Sequence, residues 1–168
     1  MSDAEPNARR RVVTWTDPQA ALVFGRTLSG LDYLRAIAAG NAPQPPISST
    51  IGMRLAEAED GRVVFTLEPA EYHYNPIGSV HGGIAATLLD SAMGCAVNTR
   101  LPLGTGYTTL ELKVNYIRPL VMGIGVVRCV GTIIHVGSRV ATAEGRIVDA
   151  SGKLYAHGTT TCLILRDT

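Results

Sequence analysis

The chain has 168 residues, of which 46% are hydrophobic and 17% charged, and its formal net charge is +1. This length favours a single domain, and the composition allows a buried core and excludes a largely disordered protein. The near-neutral balance gives no indication of nucleic-acid binding or of attraction to an anionic membrane. Residues 1–12 lack the apolar segment of a signal peptide, and no uncharged apolar run is long enough to span a bilayer. We therefore expect a cytoplasmic protein with no nucleic-acid or membrane partner.

The cysteines and histidines give no pattern typical of a disulfide framework or a metal site. Cys95, Cys129 and Cys162 are odd in number and far apart, and each lies in an apolar run. Free cysteines in such runs behave as small buried hydrophobic residues. The four histidines show no paired metal-ligand spacing, so we expect no bound metal. They are His73, His81, His135 and His157.

The first 46 residues are predicted to form a helical N-terminal extension. After a polar leader, Asp17 and Pro18 are a typical helix start, with an N-cap side chain followed by proline. Apolar residues then recur at helical spacing over residues 24–34. Ser29 and Gly30 in the middle of this segment can divide it into two helices. A segment this short is expected to pack on a main domain of residues 47–168.

The remaining chain has the order expected of an α+β domain. Alternating apolar residues from Ile51 and over 63–67 predict two strands. An apolar helix is predicted from Ile84 to about Thr99, and the even distribution of its apolar residues implies burial on several sides. Four strands with short connections are predicted after it, which together indicate an antiparallel sheet around one central helix. These strands cover residues 108–117, 124–135, 139–148 and 154–165.

Asp90 is the first candidate catalytic residue. It is the only charged side chain between Gly82 and Thr99. Burying a lone carboxylate costs several kcal/mol unless the group is paired or used. A carboxylate in such surroundings suits a general base. The alternative is a solvent-facing position on an amphipathic helix, but no other charge marks a solvated face.

The second candidate is the start of the same helix, His81-Gly82-Gly83. Glycines at a helix N-terminus let a ligand approach the unpaired backbone N–H groups, which can stabilise an oxyanion. Ordinary turn chemistry is the alternative. Gly82 and Asp90 are eight residues apart, or roughly 12 Å along a helix. One carbonyl cannot reach both, so their cooperation requires an antiparallel second copy of the helix, and therefore a homodimer.

Four further polar residues are weaker candidates. Asn75 can polarise a carbonyl or stabilise a turn. Thr109 is predicted on the strand face opposite Leu110 and Leu112, and it can position a water for Asp90 or serve only as a β-forming residue. Arg118 and Arg139 are candidates for the phosphates of a ligand, although both are also typical of solvated strand ends.

Several segments of the chain resemble a known family. YNPIGSVHGGI at residues 74–84, continued by LLDSA at 88–92, is similar to the signature of the PaaI-like (phenylacetate-degradation type) hotdog thioesterases. The similarity continues through TTLELKVNYIRP at 108–119 and the GSR turn at 137–139. It covers roughly residues 46–165, so the N-terminal extension is the main departure from the compact members of the family.

The resemblance implies a hotdog fold, in which a five- or six-stranded antiparallel sheet wraps one helix. It also implies that two copies join into a continuous sheet and that dimers pair into tetramers. The family hydrolyses acyl-CoA thioesters without metal or cofactor, and an acyl-CoA substrate is therefore expected here.

The resemblance also implies roles for the candidate residues. Asp90 matches the catalytic carboxylate and Gly82 the oxyanion donor. Asn75 and His81 match residues that flank the thioester carbonyl across the dimer from Asp90. Thr109 matches a hydroxyl that holds the attacking water in one branch of the family. A related branch has that hydroxyl at the position of Gly94, which this chain cannot use.

The sequence therefore favours an acyl-CoA thioesterase in which Asp90 acts as general base or nucleophile. Gly83, Arg118 and Arg139 are the expected contacts to substrate and CoA. A non-catalytic acyl-CoA sensor on the same fold is an alternative, but residues 1–46 show no DNA-binding pattern. A hotdog enoyl-CoA hydratase is another, but the position where its histidine would stand is Cys95.

Overall fold

The computed structural model describes residues 8–166, so that residues 1–7 of the predicted leader and residues 167–168 lie outside the description. Four α-helices and six strands make up the fold, with a 3₁₀ turn at Glu71–His73 before the last helix. The helices are α1 (Pro18–Gly25), α2 (Gly30–Ala38), α3 (Pro46–Ile51) and α4 (Gly82–Asn98). The strands are β1 (Met53–Glu59), β2 (Arg62–Leu67), β3 (Thr105–Tyr116), β4 (Val127–Val136), β5 (Val140–Val148) and β6 (Leu154–Arg166).

The six strands form one antiparallel sheet in the order β1-β2-β4-β5-β6-β3. Helix α4 lies against this sheet, and Leu88, Leu89, Ala92 and Met93 on it are fully buried. This is the predicted sheet around one central helix. The four strands after α4 were predicted to within three residues at each end.

The N-terminal extension is helical and packs on the sheet, as predicted. The Asp17 side chain accepts a hydrogen bond from the Gln19 backbone N–H and so caps α1. Ser29 caps α2, and the segment is divided at this point. Leu34 and Ile37 of α2 join the hydrophobic core. No helix of residues 8–166 has both the length and the apolar character that crossing a membrane would need.

Helix α3 was not predicted from the sequence. The alternation that begins at Ile51 predicts a strand from that residue, but Ile51 is the last residue of α3 and β1 starts at Met53. The helix begins with proline at its first position and is capped by Gly52, whose positive φ of 82° closes the last turn. A helix of six residues is too short to show a periodic pattern, so only these end signals could have revealed it.

The prediction for the faces of β3 was wrong at Leu110. The β3–β6 register shifts between Thr109 and Glu111, so that Leu110 occupies a β-bulge and is 58% exposed. A bulge reverses the alternation of side chains beyond it. Thr109 therefore points toward α4, as Leu112 does after the bulge, instead of lying on the opposite face.

A row of glycines lets α4 approach the sheet closely. Gly131, Gly145 and Gly158 are paired side by side across β4, β5 and β6. A Cβ on Gly131 would overlap the backbone carbonyl of Ala92, and one on Gly145 would lie 3.0 Å from side-chain carbons of α4. The backbone of α4 thus contacts the sheet directly at Ala92, near the middle of the helix and two residues after Asp90.

Candidate active site

Asp90 is paired with Thr109, the residue that the bulge turns inward. The Thr109 hydroxyl donates a hydrogen bond of 2.8 Å to Asp90 Oδ1. Asp90 is half-buried on α4 and faces a pocket of about 160 Å³. We call this cavity the Asp90 pocket. Its wall is formed by Pro45, Ile47, Ser48, Met53, Phe65, Ser91, Cys95, Tyr107 and Thr109.

One neighbour of Asp90, Tyr107, is not among the residues that the sequence singles out. Tyr107 lies two residues before Thr109, and its ring occupies the space beside Gly94, where a Cβ would lie 2.7 Å from a ring carbon. A hydroxyl-bearing side chain at position 94 would therefore collide with Tyr107, which leaves Thr109 as the hydroxyl beside Asp90. The strand alternation could have indicated Tyr107, because it shares an inward face with Thr109.

Cys95 lines the same pocket but does not provide a second titrating group near neutral pH. Burial raises the pKa of its thiol to about 12, and the Tyr107 hydroxyl beside it opposes this rise. The three cysteines of the chain are free thiols. Cys95 stands where a hotdog hydratase would need a histidine, so the pocket offers that reaction no second acid–base group.

The other predicted site lies at the start of α4. His81 is the N-cap, and its Nδ1 accepts a 2.9 Å hydrogen bond from the Gly83 N–H. The Ile84 N–H donates to the His81 carbonyl. Gly82, the first helical residue, has no intrahelical partner for its own N–H. Of the first three N–H groups of α4, the Gly82 group is thus the one still available to an oxyanion, whereas Gly83 is engaged by His81.

Gly82 also allows a close contact with β3. The Tyr116 hydroxyl donates a hydrogen bond of 3.1 Å to the Gly82 carbonyl, and a Cβ on Gly82 would lie 3.2 Å from the Tyr116 ring. Both residues line a pocket of about 380 Å³, which we call the Gly82 pocket. Asn75 and Arg118 line it as well.

Asn75 shapes the loop that leads into α4. Its Oδ1 accepts hydrogen bonds from the N–H groups of Ile77 and Ser79, and its Nδ2 donates to the Ser79 hydroxyl at 3.3 Å. The turn-stabilising interpretation of Asn75 is therefore correct. The second hydrogen of Nδ2 remains for a ligand in the Gly82 pocket.

A single copy of the chain does not bring the predicted residues into one place. Asp90 and Thr109 line the Asp90 pocket, and Gly82, Asn75 and Arg118 line the Gly82 pocket. The two linings have no residue in common. Since Gly82 and Asp90 belong to one helix, their separation of roughly 12 Å is fixed by helix geometry.

The two candidate arginines are at opposite ends of β6. Arg118 donates a 2.6 Å hydrogen bond to the Leu154 carbonyl, and the Arg139 carbonyl accepts from the Ile164 N–H. Arg139 lines neither of the two pockets. Among residues 8–166, no group of three or more histidine, cysteine or acidic side chains could hold a metal ion.

Comparison with known proteins decides the family. Residues 77–156 match the model of the thioesterase superfamily. Human acyl-coenzyme A thioesterase 13 is 30% identical over 107 residues, which are 62% of this chain and 74% of the human protein. The chain belongs to the thioesterase superfamily.

Solved structures of related proteins agree with this assignment. A conserved protein of Pseudomonas aeruginosa is 32% identical, with a TM-score of 0.68 over 73% of this thioesterase and 95% of that chain. A phenylacetic acid degradation-related protein of Ralstonia eutropha is 27% identical, with a TM-score of 0.70 over 78% and 98% of the two chains. The resemblance to PaaI-like hotdog thioesterases is confirmed, as is the hotdog architecture.

The match to the family model includes Gly82, Asp90 and Thr109 but stops short of the N-terminal extension. The thioesterase is therefore an enzyme. The part that matches the family model contains helix α4, which carries Asp90, and strand β3, which carries Thr109. Asn75 and helix α3 lie outside the matched residues, and what they do must be argued from their contacts.

Proposed function

We propose that this thioesterase hydrolyses the thioester of an acyl-CoA, with Asp90 as the general base. One observation carries the proposal: a carboxylate held by the Thr109 hydroxyl at 2.8 Å faces a small pocket with mainly apolar walls. Such a pocket suits an acyl group, while the paired carboxylate and hydroxyl suit a water molecule. The name of the human relative, an acyl-coenzyme A thioesterase, supports the same substrate class.

The proposed reaction uses few groups. The Thr109 hydroxyl donates its hydrogen bond to Asp90, and its oxygen lone pairs can accept a hydrogen bond from a water that also contacts Asp90. Asp90 takes a proton as this water attacks the thioester carbon, and the carbonyl oxygen becomes an oxyanion. Collapse of the tetrahedral intermediate breaks the C–S bond, and the proton on Asp90 passes to the leaving CoA thiolate.

The oxyanion donor in this proposal is the Gly82 N–H of a second copy. An attacked carbonyl needs both the base and the donor within about 3 Å, or one water further. The separation of roughly 12 Å along α4 rules out both groups of one protomer. A symmetric dimer with antiparallel α4 helices would place the partner's Gly82 beside Asp90 and form two equivalent sites.

The sheet edge and its surroundings support this dimer. Strand β3 is an edge strand of 12 residues, with one side unpaired, and an unpaired edge readily accepts another strand. Large apolar side chains are also exposed around the Gly82 pocket, as expected of a surface that a partner covers. These are Ile77, Tyr116, Ile117 and Met122. Pairing of two such dimers into a tetramer stays a prediction from the family resemblance.

A dimer of this kind also gives the two arginines a common place. The backbone contacts of Arg118 and Arg139 with β6 are ten residues apart, or roughly 34 Å along a strand. One CoA therefore cannot engage both in a single protomer. If two β3 strands pair antiparallel, Arg118 of one copy lies at the same end of the joined sheet as Arg139 of the other. We propose that both contact the CoA phosphates there.

The test is turnover of a panel of acyl-CoAs by the full chain, measured as released CoA thiol. The panel should include straight-chain and aryl acyl groups. Asp90→Asn keeps the shape of the side chain but removes the base, so we expect a loss of at least about 10²-fold in kcat. Circular dichroism and thermal unfolding serve as the folding control. Near-normal hydrolysis by a folded Asp90→Asn protein would refute the role of Asp90.

Single-turnover hydrolysis in H₂¹⁸O separates a base from a nucleophile. With excess enzyme, a base on water places the label directly in the released acid. An attack by Asp90 itself would instead expel the CoA thiolate and form a mixed anhydride. Hydrolysis of that anhydride at the Asp90 carbonyl carbon would leave the label in the Asp90 carboxylate and give an unlabelled first product, so label in Asp90 identifies the nucleophile.

A further inference from the structure

Helix α1 of the N-terminal extension leaves most of its apolar side chains exposed. Of its residues only Ala21 is buried, and three consecutive large apolar side chains are 40% to 66% exposed. Two exposed leucines lie nearby, one just before β3 and one near the end of β6. We call these five residues the α1 patch: Leu22, Val23, Phe24, Leu103 and Leu165. Large apolar side chains that are exposed together indicate an interaction surface.

The position of α1 is fixed by its contacts with α2 and α4. The Phe24 and Tyr33 rings pack with their centroids 6.3 Å apart, which joins α1 to α2. The Gly30 N–H donates to the Leu101 carbonyl, and a Cβ on Gly30 would overlap the Asn98 carbonyl. The start of α2 therefore lies directly on the C-terminal end of α4, and α1 is held beside it.

A pocket of about 340 Å³ lies under α1, and we call it the α1 pocket. Its wall includes Leu22, Tyr33, Asn98, Gly104, Thr105 and Leu165. It is thus bounded by the end of α4 and the start of β3. The Gly82 pocket is bounded by the start of α4 and the end of β3, through Gly82 and Tyr116. The two pockets therefore lie on the α4 side of β3, at opposite ends of the strand.

One copy of the chain cannot cover its own apolar surfaces. Strand β3 has 12 residues, so its two ends are roughly 40 Å apart. The α1 patch is at one end, and the exposed Ile77, Tyr116 and Ile117 of the Gly82 pocket are at the other.

Antiparallel pairing of two β3 strands would bring these surfaces together. Pairing over the full length of the strand places Thr105 of one copy opposite Tyr116 of the other. The α1 patch of one copy then lies beside the partner's Gly82 pocket, on the same side of the joined sheet. A two-fold axis repeats the contact, so that both α1 patches and both Gly82 pockets are covered at once.

We propose that the α1 patch is an interaction surface for a second copy of this chain. It packs on the apolar residues around the partner's Gly82 pocket and forms an outer wall of that pocket. This inference rests on the proposed function, because it uses the dimer with paired β3 strands. It gives the N-terminal extension a direct part in the shared active site, so that a single copy lacks a wall of its pocket as well as a second Gly82 N–H.

Cross-linking of introduced cysteines tests the contact directly. Leu22→Cys and Ile117→Cys are made as separate proteins, mixed, allowed to exchange subunits and treated with a short bismaleimide. We expect a cross-linked pair that contains one chain of each kind, identified by mass. Each protein alone should stay near the background of the native chain, because the two-fold axis places position 22 beside position 117 and not beside itself. No mixed cross-link despite exchange, or a cross-link between two Leu22→Cys chains, would overturn the inference.

A charge placed in the α1 patch tests its contribution to the dimer. Leu22→Glu should raise the dissociation constant of the dimer by at least about tenfold, because each dimer loses the apolar contact twice. It should also raise KM for acyl-CoA at concentrations where the dimer persists. Gln19→Glu is the matched control, since it adds the same charge at an exposed position of the same helix. Sedimentation over a series of concentrations gives the dissociation constant. Native values of both quantities in Leu22→Glu would overturn the inference.

The cross-linking and sedimentation experiments need no turnover, so this inference and the proposed function can fail separately. If the cross-link between positions 22 and 117 forms but the native protein hydrolyses no thioester, the proposed reaction fails and the interaction surface stands. If Asp90→Asn abolishes hydrolysis as expected but exchanging copies give no such cross-link, the role of the α1 patch alone is refuted.

Discussion

Gly82→Pro would remove the backbone N–H that the proposed mechanism requires while keeping the start of α4. Gly82 is the first residue of the helix, a position where proline is well tolerated. His81 before it has φ −58° and ψ 134°, the extended conformation that a residue preceding proline prefers. The substitution therefore removes a hydrogen-bond donor at a place where the backbone already suits proline.

Gly82→Ala is the control for the added side chain. Alanine and proline both place a Cβ about 3.2 Å from the Tyr116 ring, where a small shift of the ring is needed. Alanine keeps the N–H and proline does not, so the ratio of their rates isolates the donor. Removing one oxyanion donor typically costs 10²–10³-fold in kcat, and we expect the proline variant to be slower than the alanine variant by about that factor.

The same variant tests whether the site is shared between two copies. In a mixture of Gly82→Pro with Asp90→Asn protein, each mixed dimer would have one site with both intact groups and one with neither. Random exchange of equal amounts makes half of the dimers mixed, so about a quarter of the native activity should return. Exchange is followed by mass spectrometry of differently tagged chains. Equal rates of the proline and alanine variants, or no recovered activity despite exchange, would refute the reasoning.

Three further outcomes are expected. Thr109→Val should lower kcat by roughly tenfold to a hundredfold because it removes the hydroxyl beside Asp90, whereas Thr109→Ser should stay near the native rate; an unchanged Val variant would contradict the pairing. Arg118→Ala should raise KM with little change in kcat, the pattern of lost uniform binding, and Arg146→Ala on another face should change neither. Burial lowers the pKa of His73, although the Ile51 carbonyl opposes this, so the unfolded chain takes up the proton first. Stability to urea should therefore fall as the pH drops below about 6.5, and a slope unchanged in His73→Gln would exclude His73 as its source.

The sequence predicted the central helix and most of the sheet because their patterns are long. Helix α4 has 17 residues and the strands after it have 9 to 13, enough for periodicity to appear. Helix α3 has six, and its alternation with β1 looked like a longer strand. Because the sequence did not predict helix α3, it could not place Ser48 in the same pocket as Asp90.

The sequence singles out candidate residues, but their arrangement was only partly predictable. Asp90 was evident as a single charge in an apolar helix, and the Gly82–Asp90 distance followed from helix geometry. The direction of Thr109 did not follow, because a bulge at Leu110 leaves no mark in the alternation of apolar residues. Asn75 shows a different limit: one residue type serves turns and ligands alike, and its hydrogen bonds were needed to show the turn.

The glycine row across β4, β5 and β6 has a consequence for how this enzyme can change. Ala92, whose carbonyl faces Gly131, is two residues from Asp90, so the depth at which the carboxylate sits depends on the absence of side chains in the sheet. Adding even one methyl group there would lift the helix and move Asp90 away from Thr109. The wall formed by α3 carries no such constraint. Substitutions in α3 can thus change which acyl group the pocket accepts, while the distance between α4 and the sheet stays fixed. Substrate selectivity can therefore change in evolution or design without a change in the contact between Asp90 and Thr109.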